Sequence, residues 1–246
     1  YGCQMNEYDS ELIESMLRES DYSKSESIYD AGVILLNTCA IREKAEETVC
    51  NKLDGLAFLK KKDPSIIIGI VGCMAQNLKQ DILESRSYID VVLGPDSYRR
   101  IPEIIASRSE NSEYFVDTRL SKFEVYEDLF PSRKEGVNAL ISIMRGCDKF
   151  CTFCIVPFTR GRERSRSIDN IVAEAKDAVS KGFCEVTLLG QNVNSFTTAN
   201  GGFPELLESV AKVDGVKRIR YISPHPQDMT AELLHVMKKY SNICNY

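Results

Sequence analysis

The sequence predicts an α/β protein, with an N-terminal parallel-sheet domain followed by part of a (β/α) barrel. In the first half, short apolar runs at Val33–Leu36, Ile66–Val71 and Val91–Leu93 alternate with amphipathic helical stretches. Such alternation is typical of βαβ units, which form a parallel sheet with helices on both faces. Strand–helix units of similar size resume after about residue 137, as in (β/α) barrels.

Composition narrows the class of protein. The chain has 246 residues, 43% of them hydrophobic, and a net charge of −5. It contains no apolar run near the roughly 20 residues that a membrane span needs. Nine cysteines in a chain of this size, most in patterned positions, favour metal-bound thiolates in the reducing cytoplasm over a disulfide scaffold. The acidic balance predicts no general affinity for nucleic acid, so RNA contacts would depend on local patches or on a part outside this chain.

The helices and turns of the first half follow from periodicity and from Pro and Gly. Tyr1–Asn6 is expected to be the end of a strand running into a turn, and Asp9–Arg18 a helix with its apolar positions at helical spacing. A second helix is expected from about Arg42 to Lys62, and a third from Gln76 to Ser85.

The second half is predicted to contain three further strands, each followed by a helix. Residues 1–118 form the first predicted domain, 119–136 a linker and 137–246 the partial barrel. Ser167 and Thr230 are expected to cap helices, because their hydroxyls can accept the first free N–H groups. The predicted strands are Val137–Met144, Glu185–Leu189 and Arg218–Ser223, and the helix expected between the two capped helices is Pro204–Val213.

Three cysteines in a C-x3-C-x2-C run, Cys147, Cys151 and Cys154, form what we call the loop triad. Thiolates at this spacing converge on one soft metal centre. In a four-iron cluster, three thiolates leave one iron open for a reactive ligand. A structural zinc site needs a fourth ligand, and Cys184 and His225 lack zinc-pair spacing. A zinc knuckle and a chance grouping remain the alternatives.

A second group, the upstream triad, comprises Cys3, Cys39 and Cys73. Each follows a predicted strand and precedes a predicted helix. Since the carboxyl ends of parallel strands meet at one edge, the three thiols can meet there and form a second metal site. The alternative is three small buried residues, since free cysteine is commonly buried. The remaining cysteines, Cys50, Cys184 and Cys244, show no ligand pattern.

Two further features carry open interpretations. Arg160, Arg162, Arg164 and Arg166 alternate along one segment, which indicates either a solvated turn or contacts with a phosphate or substrate anion. His225 lies between two prolines after the last predicted strand, where either a structural or a catalytic role fits.

These motifs resemble the radical S-adenosylmethionine methylthiotransferases, and most closely the tRNA-2-methylthio-N6-dimethylallyladenosine synthases. The loop triad, with Phe153 before its last cysteine, resembles the superfamily signature. Gly2–Ser10, Asn37–Ala45 and Cys154–Glu163 resemble this branch in particular. The resemblance covers the whole chain. The family pattern extends further, to the rest of the barrel and an RNA-binding β-domain, and the chain is expected to be truncated at both ends.

The resemblance implies a function and its cofactors. The loop triad would bind a [4Fe–4S] cluster whose open iron holds S-adenosylmethionine, the source of a radical. The upstream triad would bind a second [4Fe–4S] cluster that carries the sulfur to be transferred. The product would be a methylthio group on C2 of N6-dimethylallyladenosine at position 37, in the anticodon stem-loop of tRNA. By position, Phe153 would border the adenine of the cofactor, and Gly190, Gln191 and Asn192 its amino-acid end.

The resemblance also implies binding partners, and two alternative functions remain. A reductant such as flavodoxin or ferredoxin is expected, with no membrane contact and a monomeric state. Methylthiolation of threonylcarbamoyl-adenosine in tRNA, or of a ribosomal protein, is the rival within the same chemistry. A non-catalytic, zinc-stabilised RNA-binding module is the rival from a different class.

Overall fold

The structure is a computed structural model that describes residues 2–40, 43–108, 114–133 and 135–245. Tyr1, Ile41 and Arg42, which belong to predicted elements or motifs, lie outside the described residues. Within the described part of the chain, no helix has both the length and the apolar character needed to cross a membrane.

The chain divides into two compact units. Unit 1 comprises Tyr1–Lys122 together with Cys151–Gly161, and unit 2 comprises Phe123–Phe150 together with Arg162–Tyr246. The first unit therefore ends inside the predicted linker, and it also includes a short segment from the second half of the sequence.

The described strands of unit 1 form a parallel sheet in the order β1-β2-β3-β4. They are β1 (Val33–Thr38), β2 (Ile67–Gly72), β3 (Val91–Leu93) and β4 (Phe115–Asp117). Every pairing is parallel, which confirms the predicted α/β class. All residues of β2 are buried, so both faces of this strand are covered, as its unbroken apolar run predicts. The strand β4 was not predicted, because Asp117 ends its apolar residues after two positions and it lacks the all-apolar run of β3.

The described helices of unit 1 agree only in part with prediction. They are α1 (Gln4–Glu19), α2 (Glu43–Lys62), α3 (Cys73–Leu78), α4 (Asp81–Ser85), α5 (Ile101–Arg108) and α6 (Val156–Arg160). The helix expected for Gln76–Ser85 is wrong in its bounds, because the chain breaks at Lys79, whose φ is +51°. This break lets both short helices place apolar residues, Met74 and Ile82, in the same core. The helix α5 was not predicted.

The strand expected at Tyr1–Asn6 is also wrong for the residues described. Helix α1 already begins at Gln4, and the Cys3 carbonyl accepts the backbone N–H groups of Asn6 and Glu7. The helical period begins earlier than we expected, because Met5 and Tyr8 are buried together with Leu12.

The core of unit 1 lies between the sheet and the stripe of α2. This apolar stripe is buried, and it packs on apolar side chains of the strands and of α3 and α4. Its members are Val49, Leu53, Leu56 and Leu59.

Unit 2 contains a parallel sheet in the order β11-β8-β5, with helices after the strands. Its strands are β5 (Asn138–Ser142), β6 (Met144–Arg145), β7 (Arg164–Ser165), β8 (Glu185–Leu189), β9 (Thr197–Thr198), β10 (Gly201–Gly202) and β11 (Arg218–Tyr221). Its helices are α7 (Ile168–Ser180), α8 (Phe203–Ala211) and α9 (Ala231–Lys239). The single strand expected at Val137–Met144 is divided, since Met144 and Arg145 leave the sheet and pair antiparallel with β7.

The predicted caps of unit 2 are confirmed. The Ser167 hydroxyl accepts the N–H of Asn170, and the Thr230 hydroxyl accepts the N–H of Leu233. Helices α7, α8 and α9 place their apolar faces in one core with β5, β8 and β11. The loops that follow these strands carry the residues described next.

Candidate metal centre and cofactor cavity

Local structure explains where unit 1 places the upstream triad. Cys39 follows β1, Cys73 is the first residue of α3 directly after β2, and Cys3 is the N-cap residue of α1. Cys39 and Cys73 are buried, whereas Cys3 is partly exposed. The Cys3 sulfur forms a hydrogen bond with the Cys39 thiol. The prediction for Cys39 and Cys73, at the ends of neighbouring parallel strands, agrees with this placement.

Two asparagines hold the start of α1 against the end of β1. The Cys3 thiol donates to Asn6 Oδ1 at 3.1 Å, and Asn6 Nδ2 donates to Asn37 Oδ1 at 3.0 Å. Asn37 Nδ2 in turn donates to the Asn6 carbonyl oxygen at 2.8 Å and to Ser10 Oγ at 3.0 Å. Both amides are buried, so these bonds fix Cys3 relative to β1. Both asparagines lie in the segments that carry the family resemblance, but the sequence alone indicated no role for them.

The thiols of the upstream triad differ in their protonation. The hydrogen bond from Cys39 lowers the pKa of Cys3 to about 5. Burial opposes this shift, whereas nearby backbone N–H groups and the charge of Arg160 add to it. Burial raises the pKa of Cys73, and the guanidinium of Arg160 opposes that effect. A thiolate is the form that binds metal, so Cys3 is more readily deprotonated for binding than Cys73. Three thiols in one unit form a donor set that suits an iron–sulfur cluster.

Two glycines allow the backbone to approach these thiols closely. A Cβ on Gly2, whose φ is +142°, would lie 2.5 Å from the Cys39 Cβ atom. A Cβ on Gly72, whose φ is +93°, would lie 2.5 Å from Asn37 Oδ1 and 2.9 Å from the Thr38 carbonyl oxygen. Both positions combine left-handed backbone with contacts shorter than real Cβ atoms make.

We expect Gly72→Ala to lower the free energy of unfolding by about 2–4 kcal/mol, because it adds strain at positive φ to a clash with backbone. Chemical denaturation of the metal-free chain measures this. The matched control is Gly55→Ala in α2, where a Cβ meets nothing within 4 Å. This control should raise the free energy of unfolding by up to about 1 kcal/mol. Equal effects of the two substitutions would contradict the close approach at Gly72.

The arginine run is not a solvated turn. Arg160, Arg164 and Arg166 are buried, and only Arg162 is exposed. Within unit 1, Arg160 Nε donates to Cys73 Sγ at 3.1 Å, and its Nη2 donates to Asp9 Oδ2 at 2.8 Å. Within unit 2, Arg166 pairs with Glu174 at 2.6 Å. Protein carboxylates therefore already hold Arg160 and Arg166, and contact of the run with a phosphate or substrate anion stays a prediction.

The loop triad falls in both units. Cys147 is buried in unit 2, whereas Cys151 and Cys154 are partly exposed in unit 1, where the N–H of Cys154 donates to the Cys151 carbonyl oxygen. Phe153, between them, is almost fully exposed. Among the residues described, no three Cys, His, Asp or Glu side chains surround a point that one metal ion could occupy. In a cubane cluster each thiolate binds a different iron. Whether the cysteines suit such a cluster therefore depends on the number and kind of ligands, and not on a geometry around one ion.

Unit 2 contains a polar cavity of about 340 Å³. Its lining consists of charged and hydroxyl side chains from the loop between β6 and β7, from β7 itself and from the segment after β8: Asp148, Lys149, Glu163, Ser165, Ser195 and Thr197. Lys149 Nζ lies 2.7 Å from Asp228 Oδ1, and Ser195 Oγ donates to Glu163 Oε2 at 2.6 Å. The volume and the convergent polar groups suit a small charged ligand. The sequence alone did not predict these lining residues, although Asp148 and Lys149 lie between Cys147 and Cys151 and Glu163 lies within the arginine run.

The surroundings of Glu163 raise the pKa of its carboxyl group. Burial raises its pKa, the Ser195 hydroxyl opposes the rise, and the nearby carboxylates of Asp148 and Asp228 add to it. The carboxylate is therefore less stable here than in water.

We expect Glu163→Gln to raise the free energy of unfolding at pH 7. A carboxyl whose folded pKa is raised stabilises the fold below its ordinary pKa of 4.5, and that contribution is lost as pH rises through the folded value. The gain from the substitution should therefore shrink as pH falls toward 4. Denaturation of both proteins across pH 4 to 8 measures it. A gain independent of pH would contradict a raised pKa.

The residues predicted to hold the amino-acid end of the cofactor follow β8 directly. Close packing requires glycine at position 190, because a Cβ on Gly190 would lie 2.7 Å from Met144 Cγ. Gln191 Oε1 is buried and accepts no hydrogen bond from the described residues. Asn192 donates to Asp228 at 2.7 Å and accepts the backbone N–H of His225, so protein groups already use its amide.

His225 has a structural role in this loop. Its backbone N–H donates to Asn194 Oδ1 at 2.7 Å, and its Nδ1 accepts the N–H of Gln227 at 3.2 Å. These contacts fix the start of the turn at Pro226–Asp228.

Comparison with known families agrees with both halves of this description. Residues 1–94 match the family described as uncharacterized protein family UPF0004, and residues 141–246 match the radical SAM superfamily. The match to the radical SAM superfamily includes the loop triad, in agreement with the resemblance of its cysteine motif. That superfamily uses S-adenosylmethionine and a [4Fe–4S] cluster.

Across its whole length the chain is similar to tRNA-2-methylthio-N(6)-dimethylallyladenosine synthases. It is 45% identical to the one from Bacteroides fragilis, covering 100% of this chain and 55% of that protein. It is 46% identical to the one from Amoebophilus asiaticus, covering 100% of this chain and 54% of that protein. The chain thus spans about half the length of these curated relatives.

Two solved structures share the fold at low sequence identity. The radical S-adenosylmethionine methyltransferase TsrM from Kitasatospora setae, solved with cobalamin and a [4Fe–4S] cluster, matches with a TM-score of 0.59 and 14% identity, covering 83% of this chain and 47% of that one. The cobalamin-dependent S-adenosylmethionine radical enzyme OxsB matches with a TM-score of 0.60 and 13% identity, covering 94% of this chain and 38% of that one. These likenesses confirm the fold class.

Proposed function

We propose that this chain is the methylthiolating part of a cytoplasmic transferase that places a methylthio group on C2 of N6-dimethylallyladenosine at position 37 of tRNA. The observation that supports it most is the upstream triad, gathered in unit 1, in a chain that also carries the loop triad. A radical enzyme that only cleaves S-adenosylmethionine needs one three-thiolate set. A second set provides a place for the sulfur that the product contains.

The two triads have separate roles in this proposal. Each would bind a [4Fe–4S] cluster, and these clusters supply electron transfer to S-adenosylmethionine and the sulfur atom. The lowered pKa of Cys3 favours loss of its proton on binding iron, and Cys39 and Cys73 would supply two buried ligands.

Residues after β8 would orient S-adenosylmethionine. Gln191 Oε1 is a buried acceptor without a donor among the described residues, and the ammonium group of the cofactor would supply one. Asn192, bonded to Asp228 and to the His225 backbone, would hold this loop in place. Phe153 exposes its ring and is free to stack on an adenine.

The nucleic-acid partner would be the anticodon stem-loop of tRNA. A base in a loop can enter a pocket without melting a duplex, so no large basic surface is required for the chemistry. The net charge of −5 leaves most of the affinity for RNA to protein outside this chain. A reductant such as flavodoxin or ferredoxin would deliver the electron, and the protein would act as a monomer.

Mass spectrometry of tRNA nucleosides from a strain lacking the gene tests this function. We expect loss of the 2-methylthio group from dimethylallyladenosine alone, restored by the wild-type gene. Loss from threonylcarbamoyl-adenosine, or from a ribosomal protein with intact tRNA, would assign the same chemistry to another substrate. An unchanged nucleoside profile would contradict the tRNA assignment.

A further inference from the structure

Arg160 lies in a buried polar chain that ends on a proposed cluster ligand. Its side chain is 4% exposed, its Nε lies 3.1 Å from Cys73 Sγ, and its Nη2 lies 2.8 Å from Asp9 Oδ2. The Tyr98 hydroxyl donates to the same Asp9 oxygen at 3.3 Å. Asp9 and Tyr98 are fully buried. All four residues belong to unit 1.

The Arg160 guanidinium makes more contacts than are needed to balance its charge. An ion pair with Asp9 alone would compensate the buried charge of Arg160. The guanidinium instead divides its N–H groups between the carboxylate and the sulfur. Arginine keeps its proton at every relevant pH, so it is a permanent donor to Cys73.

The helix that carries Arg160 is placed to support this contact. Arg160 is the last residue of α6, which packs on α3, the helix that begins with Cys73. Asp9 comes from α1, which begins just after Cys3. The chain of contacts therefore connects the segments that carry two members of the upstream triad.

We propose that Arg160 is a positioning residue for the cluster of the upstream triad, and that its hydrogen bond to the Cys73 sulfur raises the reduction potential of that cluster. An N–H group that donates to a ligating sulfur withdraws negative charge, and so stabilises the reduced form more than the oxidised form. Asp9 accepts another N–H of the same guanidinium and balances its buried charge. The inference rests on the proposed function, because it assumes that Cys73 binds iron.

Redox titration of the reconstituted chain tests the proposal. The parent protein carries alanine at all three positions of the loop triad, so only the upstream triad can load a cluster. It is reduced stepwise with dithionite under anaerobic conditions, and the electron paramagnetic resonance signal of the reduced cluster is followed. The test variants are Arg160→Gln, Arg160→Lys and Asp9→Asn. The control is Arg18→Gln, which removes an exposed guanidinium from α1.

The expected result is a lower midpoint potential in Arg160→Gln and a smaller drop in Arg160→Lys, which keeps the charge but not the planar donor. Asp9→Asn, which removes a nearby negative charge, should leave the potential unchanged or higher, and Arg18→Gln should not change it. If Arg160→Gln and Arg160→Lys both keep the parent potential, or if Asp9→Asn lowers it as much as they do, the proposal is overturned. A parent protein that binds no four-iron cluster would instead refute the proposed function.

Discussion

Replacing Cys39 by alanine in the whole protein should abolish methylthiolation of tRNA while S-adenosylmethionine is still cleaved to 5′-deoxyadenosine. Cys39 is a buried member of the upstream triad, and in the proposed function its loss would remove a ligand of the cluster that supplies sulfur. Cys147→Ala should abolish both activities, because it removes a ligand of the loop triad. Chromatography of 5′-deoxyadenosine and mass spectrometry of the tRNA digest separate the two results.

The matched control is Cys50→Ala in α2, a partly exposed cysteine of the same unit that belongs to neither triad. It should retain both activities near the wild-type level. If Cys39→Ala and Cys147→Ala gave the same pattern of losses, the division of labour between the triads would be wrong.

Replacing Glu174 by alanine should cost about 3–5 kcal/mol of the free energy of unfolding, because two buried arginines would lose their shared partner. Glu174 Oε2 lies 2.6 Å from Arg166 Nη1, and its Oε1 accepts from Arg133. Glu174 is fully buried, and both guanidinium groups are at least 98% buried. Without the carboxylate, each guanidinium keeps its charge away from water.

Chemical denaturation of the metal-free chain measures this loss. Glu174→Gln, which keeps the shape and part of the hydrogen bonding, should still be strongly destabilising since the charge is gone. Glu232→Ala, at an exposed position of α9, is the control and should have a small effect. A Glu174→Ala protein as stable as the control would show that the network does not stabilise unit 2.

The sequence was sufficient for features that depend on local pattern. The buried run Ile66–Val71 predicted β2, and the position of Cys73 after it followed from strand–helix alternation. The break at Lys79 escaped prediction because it depends on how Met74 and Ile82 pack on the sheet, which no local periodicity records.

Features that depend on distant partners were not predictable. Asp9 lies 151 positions before Arg160, and only the folded unit 1 brings its carboxylate to that guanidinium. The arginine run was therefore interpreted from its own composition, which favours solvent or anions. Likewise, the contact between Glu163 and Ser195 spans 32 positions, so the polar cavity was not apparent from sequence.

Anaerobic reconstitution of the whole wild-type protein, followed by determination of bound metal and acid-labile sulfide, tests the central claim most directly. If each triad binds a four-iron cluster, the protein should hold about eight irons and about eight sulfides per chain. About two zinc ions per chain, without sulfide, would contradict the assignment of both triads.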